Sequence, residues 1–517
     1  MTTSRPAVQV LPRSELESRP RLFAALERTV GLEFTAHPGA GVVATVVLGD
    51  ADLSVTAGLP TLRLVHPEPS VGAPTSVHLA DSAQLDATIR RQILSDGFAG
   101  GTHGLAPQLS AEVLASDNDH VLWTHDRSTK EELAAVVPRE LAAGETLRNR
   151  MRPGAILPLL PLTSFLLRVA EASGLRRAPL RAAFLIDDPN LHRPRYGYLD
   201  FAELAARATA EGWHIAFATI PLDTWFVDRR VVRLFVQPKP HLSLLIHGNR
   251  HVKDELARHK NDEGALRDMS QALGRIRRFE TRTGLRVSRV MAPPHSVYSP
   301  TAARALARLG FHGLCIGDPY PWLQRDAPRP PLAEWRPAEF VEGLPVIPRH
   351  HISGDGEELV LRAFLRQPLI IYGHHTDGAH GLEVFSDAAR RVDSLGDVSW
   401  MDLDTIARTN AETFDLGDRT LLRLYSRSAT IQLDRPATVV VEIDDVHSVD
   451  VEVMDRGQVY LGPGPHPIES PGPLNVSVRR RDCVDARQIA PPRFTPWPLA
   501  RRVLTETRDR LVPLIRR

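Results

Sequence analysis

Several short apolar runs in this chain end in side chains that bind metals or move protons. Ala182–Ile186 leads into Asp187-Asp188-Pro189-Asn190, and Leu242–Ile246 into His247-Gly248-Asn249-Arg250-His251. Val287–Met291 leads into Ala292-Pro293-Pro294-His295, Gly313–Ile316 into Gly317-Asp318-Pro319, and Leu369–Tyr372 into Gly373-His374-His375-Thr376-Asp377. The His-x3-His spacing of His247 and His251, at a strand-to-helix junction, sets two imidazoles about one helical turn apart, within reach of one ion. An Asp from the first run can complete a three-ligand site that keeps positions open for water, and a divalent ion there lowers the pKa of water to roughly 7. A neighbouring carboxylate can then take the proton, and a His from the far side can protonate a leaving group. The pair is not the zincin motif, which needs Glu directly after the first His where this chain has Gly248. Asp187 is the available candidate for general base. Each piece also has a plainer reading. Asp-Asp-Pro-Asn is a turn sequence, and His247 and His251 can be solvated residues at a helix start.

The segments that must position these residues alternate between apolar runs and amphipathic stretches from about 182 to 410. Ile215–Thr219 and Val398–Trp400 complete the set of strand candidates. Leu266, Met269, Leu273, Ile276 and Phe279 form one apolar helical stripe. A second helix is expected from Leu199 to Glu211, ending at Gly212. A third follows Ser299, a good N-cap with Pro300 at the first helical position, and ends near Leu309-Gly310. Strand–helix alternation argues for a parallel α/β sheet, and seven or eight strands favour a barrel. Function in such domains sits at the C-terminal ends of the strands.

Residues 1–150 read as a mixed α/β domain of unassigned role, with helices over Arg21–Thr29 and Ser82–Leu94 and strands over Val42–Leu48 and His120–Trp123. Residues 151–180 read as a connector with a short helix, 181–410 as the barrel, 411–495 as a small β-rich, sandwich-like domain, and 496–517 as a basic helical tail.

Composition narrows the function classes. Lys+Arg is 63 against 62 Asp+Glu, a formal net charge of +1, so no global field points to nucleic acid. Two cysteines, Cys315 and Cys483, exclude a disulfide scaffold and a cysteine zinc finger, leaving His and carboxylate for any metal chemistry. No run is apolar and long enough for an integral membrane segment, and no secretory signal is visible, so a cytoplasmic protein is expected. A homo-oligomer is compatible with the chain. Trp225, Tyr196 and Trp322 are candidates to stack on a sugar ring, although buried packing is the commoner use of such residues. Asp318 and the His350-His351 pair are further polar loop candidates.

Residues 182–410 resemble the polysaccharide deacetylase superfamily, the nodulation-type deacetylase homology barrel of carbohydrate esterase family four. The resemblance rests on Phe184-Leu185-Ile186-Asp187-Asp188, on His247-x3-His251, on Met291-Ala292-Pro293-Pro294-His295, and on Leu369-Ile370-Ile371-Tyr372-Gly373-His374. It implies a distorted (β/α) barrel with a divalent metal, most often zinc, held by Asp188, His247 and His251. It gives Asp187 the role of general base and His374 that of acid, with His375 an alternative, and places Pro294, His295 and His375 at the substrate. Three departures mark a divergent member: Ala292 stands where the family has the Arg that partners the base, Pro189 replaces the Gly after the Asp pair, and His375 doubles His374.

The expected function is a metal-dependent hydrolase that removes an acyl group, N-acetyl first, from a carbohydrate or related amide. Two alternatives stand: a non-catalytic carbohydrate-binding or scaffold protein that kept the barrel, and a glycoside hydrolase, which would need two acidic groups roughly 5–10 Å apart across a sugar.

Overall fold

The computed structural model describes residues 5–49, 58–106, 110–236, 241–324, 327–445, 449–455, 457–462, 464–493, 496–502, 504 and 507. A nine-stranded mixed sheet is built from strands between Ala7–Leu11 and Glu131–Ala134. It includes Val42–Leu48 as expected, and the helix Pro20–Val30 buries Leu22, Phe23, Leu26 and Val30. Ser82–Leu94 is not the expected helix. It is a run of turns entering the strand Ile93–Asp96. The side chains of Ser82 and Asp86 capture the amides of Gln84 and Thr88, which a helix would need for its own ladder.

The helix Leu160–Ala172, inside the stretch read as a connector, is buried on nearly every face. Leu160, Leu162, Phe165 and Leu166 belong to one apolar cluster that runs from the N-terminal sheet to the outer face of the barrel, so this segment is core and not a spacer.

Seven parallel strands close the barrel: β1 (Leu180–Asp187), β2 (Ile215–Thr219), β3 (Leu242–Ile246), β4 (Val287–Met291), β5 (Gly313–Ile316), β6 (Leu344–His351) and β7 (Leu369–Gly373). The ring runs in that order, and β7 and β2 both pair with β1 to shut it. Side chains alternate strictly. Phe184, Ile186, Phe217, Ile246 and Ile371 face the surrounding helices, while Ala183, Leu185, Ala216, Leu245, Val290, Cys315, Ile347 and Ile370 fill the lumen. Cys315 is therefore a core residue, and burial pushes its thiol up to about 12.

Two expectations change here. Val398–Trp400 lies outside the ring, pairing with the N-terminal end of β1 at Leu180–Ala182. The barrel instead takes β6, a strand whose Pro345 and Pro348 break the usual signature of a central strand.

The helices Phe201–Glu211, Asp262–Thr283 and Pro300–Arg308 fall close to the expected places. Asp200 caps the first through the amides of Ala202 and Glu203, and Gly212 closes it in the left-handed conformation. Asn261 and Ser299 cap the other two.

Past residue 410, four strands joined by Leu175–Arg176 make a five-stranded sheet, which with a four-stranded sheet encloses one apolar core made by Leu422, Leu424, Ile431, Val439, Val451, Val453, Leu474 and Val476. The arrangement is a sandwich. Arg419–Leu424 and Ala437–Ile443 pair in parallel, a departure from an all-antiparallel layout. Residues 497–502 are helical, and the rest of the expected tail lies largely outside the described residues. Among the described residues no helix is long and apolar enough to cross a membrane.

Candidate metal centre

Lumen alternation continues past the ends of the strands and sets the site. Asp187 follows Ala183 and Leu185, His247 follows Leu245, Arg349 follows Ile347, and Tyr372 and His374 follow Ile370, so all five fall on the inward register. Asp188 would point outward in a regular strand. Its φ of +79° breaks the alternation and turns its carboxylate to the same rim.

Asp188 Oδ1 lies 2.9 Å from His251 Nε2 and 3.3 Å from His247 Nε2. The three donor atoms all lie within 4.8 Å of one another. Asp188 Oδ1 is buried and meets hydrogen-bond geometry with no partner, although it sits at ion-pair distance from both rings. His247 uses Nδ1 on the carbonyl of Ala292 at 2.8 Å, which leaves Nε2 aimed at Asp188. Metal-ligating imidazoles are oriented in this way. An oxygen donor without a proton partner, facing two ring nitrogens, fits a divalent cation. Without the ion, burial opposes the charge on both partners and loses. The two imidazoles hold the Asp188 carboxyl well below its ordinary range, and Asp187 and Asp188 together hold the His247 imidazolium above its own.

The segment from His247 to Asn261 is a loop and not the start of a helix. The two imidazoles meet because the loop is pinned, not because of helical spacing. Glu255, fully buried, accepts the backbone amides of Asn249 (2.9 Å), Arg250 (2.8 Å) and His251 (3.1 Å). Burial first, and the nearby Asp268 second, raise its carboxyl. Asp268 in turn binds the side chains of Asn249 and Arg250, each at 2.7 Å. His259 faces Asp268 at 3.3 Å and not the group of Asp188, His247 and His251. Sequence reasoning missed Glu255 and Asp268, because a carboxylate that serves only backbone amides and neighbouring side chains has no spacing signature.

Gly248 is required at its position. Its φ is +63°, and a Cβ there would come within 2.3 Å of Glu255 Oε2 and 2.6 Å of Pro294 Cγ. Gly248→Ala is expected to cost more than about 1 kcal/mol from the left-handed backbone alone, and to weaken ion binding by displacing Glu255. Urea unfolding and metal titration of the one variant measure both effects. His251, His295 and Ser296 also have positive φ, at 53°, 57° and 55°. Strained backbone of this kind, at about 1–3 kcal/mol per residue, persists only where surrounding contacts force it, and it gathers at functional sites.

Asp187 is buried behind the ligand set. Arg349 Nη1 reaches its carboxylate at 3.0 Å, and Nη2 donates to Ser296 Oγ at 3.1 Å. The expectation that Ala292 leaves the base without its arginine is thus corrected: the guanidinium comes from β6, two positions round the ring from β4. The short apolar stretch Leu-Pro-Val-Ile ahead of Arg349 was the available signal, and the two prolines masked it. Arg349 also lies 4.0 Å above the ring of Tyr372. Such a cation–π contact adds to the packing that holds it.

The remaining candidates divide. His374 caps the turn His375–His380 and its backbone amide is bonded to Asp377 at 2.7 Å. His351, His374 and Asp377 form a second close group, with the His351 ring 5.0 Å from Tyr372. His375 turns the other way, against the rings of Tyr196 and Tyr198 at 5.3 and 6.0 Å. His295 is exposed, its ring 4.8 Å from that of His251. Pro294 is buried against Gly248, where it shapes the loop. Tyr196 is buried, Trp322 packs edge-on against Tyr298, and Trp225 is 64% exposed with His192 beside it. Asp318 is paired with Arg329 at 2.8 Å.

No protein-family model matches the chain, and no curated protein matches it by sequence. Among solved structures it is similar to a protein of Mycobacterium smegmatis assigned to the polysaccharide deacetylases, with 14% identity, 44% of this chain and 88% of that chain covered, and a TM-score of 0.30. It is similar to a CE4 family pseudoenzyme from Bacillus anthracis, with 13% identity, coverage of 43% and 64%, and a TM-score of 0.27. It is also similar to a family 4 carbohydrate esterase from Streptomyces lividans in complex with acetate, with 10% identity, coverage of 42% and 87%, and a TM-score of 0.25. An esterase and a pseudoenzyme both stand among these likenesses, so they assign no activity. The chain is thus similar, over less than half its length, to carbohydrate esterase family 4 proteins, and its chemistry has to be read from its own residues.

Proposed function

We propose that this protein is a metal-dependent hydrolase that removes an acyl group, N-acetyl first, from a carbohydrate or related amide. The observation that carries the reading is the convergence of Asp188, His247 and His251 on one point at the open rim, with Asp187 held beside them by Arg349. When bound there, a divalent cation would polarise the acyl carbonyl and make water acidic enough to be deprotonated near neutral pH.

The protein's own groups do the rest. Asp187 takes a proton from the attacking water, and Arg349 fixes the direction in which its carboxylate oxygens point. The water oxygen adds to the acyl carbon, the C–N bond of the resulting tetrahedral adduct then breaks, and the nitrogen leaves with a proton donated by His374. His374 is preferred over His375 as donor because it holds the inward register, whereas His375 packs on the tyrosines. The buried walls around Asp187 exclude bulk water and strengthen each of these interactions.

Bound zinc in the purified protein, and in Asp188→Ala and His247→Ala, tests the reading. About one ion per chain is expected in the parent, with near-complete loss in both variants alongside loss of acetate release from N-acetylated sugars. Unchanged metal content in the variants would overturn the site. Binding of acetylated sugar with no acetate released would favour a non-catalytic binding module, and new reducing ends would favour glycoside cleavage.

A further inference from the structure

The short helical segment at residues 497–502 delivers one side chain to the back of the metal centre. Arg502 is 5% exposed, although it comes from a stretch whose Trp497 is 68% exposed. Its Nε donates to Asp223 Oδ2 at 2.6 Å, and its Nη2 donates to the backbone carbonyl of Asp188 at 3.2 Å. Asp223 is itself 4% exposed and sits in the turn Pro221–Trp225, directly after β2. That turn is tied to the loop after β1 a second time, through His192 Nε2 and the carbonyl of Asp223 at 2.7 Å. Thr219, the last residue of β2, holds the same loop from the strand itself, its Oγ1 donating to the carbonyl of Pro189 at 3.3 Å.

We infer that Arg502 is a positioning residue of the metal centre, clamping the left-handed backbone of Asp188 to the Asp223 turn so that its carboxylate stays aimed at His247 and His251. The inference rests on the metal reading above. Asp188 is a non-glycine residue with φ of +79°, a conformation that relaxes unless neighbours enforce it. A guanidinium suits the task because its donors are fixed in one plane and reach two acceptors together, whereas an ammonium is a single compact charge on a flexible stem. The contact bridges 314 positions of sequence. The C-terminal segment thus becomes part of the site it would otherwise only accompany.

The test is a cobalt(II) titration of the full chain, followed by the visible d–d bands that report ligand geometry. The parent is compared with Arg502→Met, Arg502→Lys and, as a control on the exposed side of the same helix, Trp497→Ala. Loss of an orienting residue behind a ligand typically weakens metal affinity 10–100-fold. Arg502→Met is expected to bind cobalt about 10–100-fold more weakly, with shifted bands. Arg502→Lys should fall between it and the parent, and Trp497→Ala should match the parent. If Arg502→Met does not fold, the lysine variant decides by the same two readouts. Parent-like affinity and bands in the arginine variants would overturn this inference alone. Equal weakening in Trp497→Ala would also overturn it, by assigning the effect to the helix and not to Arg502. A parent chain that takes up no cobalt would overturn the metal reading and this inference with it.

Discussion

Asp187→Asn is expected to lower acetate release on the order of 10³-fold while leaving about one metal ion per chain. The substitution keeps the shape of the side chain and removes its charge, and with it both the ability to accept a proton and the ion pair to Arg349, so the rate is compared on folded protein only. Asp187 is not among the ligand group of Asp188, His247 and His251, so ion binding should persist. This separates it from Asp188→Ala, in which ion and activity should disappear together. The check is acetate release at saturating substrate, with metal content measured on the same preparation. Retention of more than about a tenth of the parent rate would remove Asp187 from the role of base, because general-base contributions typically reach 10²–10⁴-fold.

The second large effect concerns Arg349. The pair it makes with Asp187 is nearly sealed from solvent, with 1% and 4% of the two side chains exposed. Truncating one partner of such a pair strands the other charge, at about 3–5 kcal/mol. Arg349→Met is therefore expected to lose about that much stability in urea unfolding, and most of its activity with it. The double variant Asp187→Asn/Arg349→Met should recover much of the stability, since no uncompensated charge remains, while staying inactive. A single variant as stable as the parent, or a double variant no better than the single, would mean that the pair does not hold the rim together. Arg349→Lys should restore stability better than activity, because an ammonium supplies charge but not the fork that reaches both Asp187 and Ser296.

What was legible in the sequence is what depends on neighbours along the chain. The short apolar strands, the cap at Ser299, and the placement of Asp187 and His247 at strand ends follow from local chemistry. The choice of Asp188, His247 and His251 as one group also came from sequence, through motif order, and the structure brings their donor atoms together.

Tertiary structure decided the rest. His247 to Asn261 has the composition of a helix start, yet Glu255 pulls its amides into a loop, and that carboxylate is placed there by burial and not by spacing. β6 carries two prolines that argue against a central strand, and it is accepted because β5 and β7 flank it on both sides. Its Arg349 then meets Asp187 across 162 positions, as Arg502 meets Asp188 across 314. A parallel barrel closes only through long-range pairing, here β7 and β2 onto β1. The strand ends therefore announce which residues reach the rim, but only ring closure determines which of them face one another.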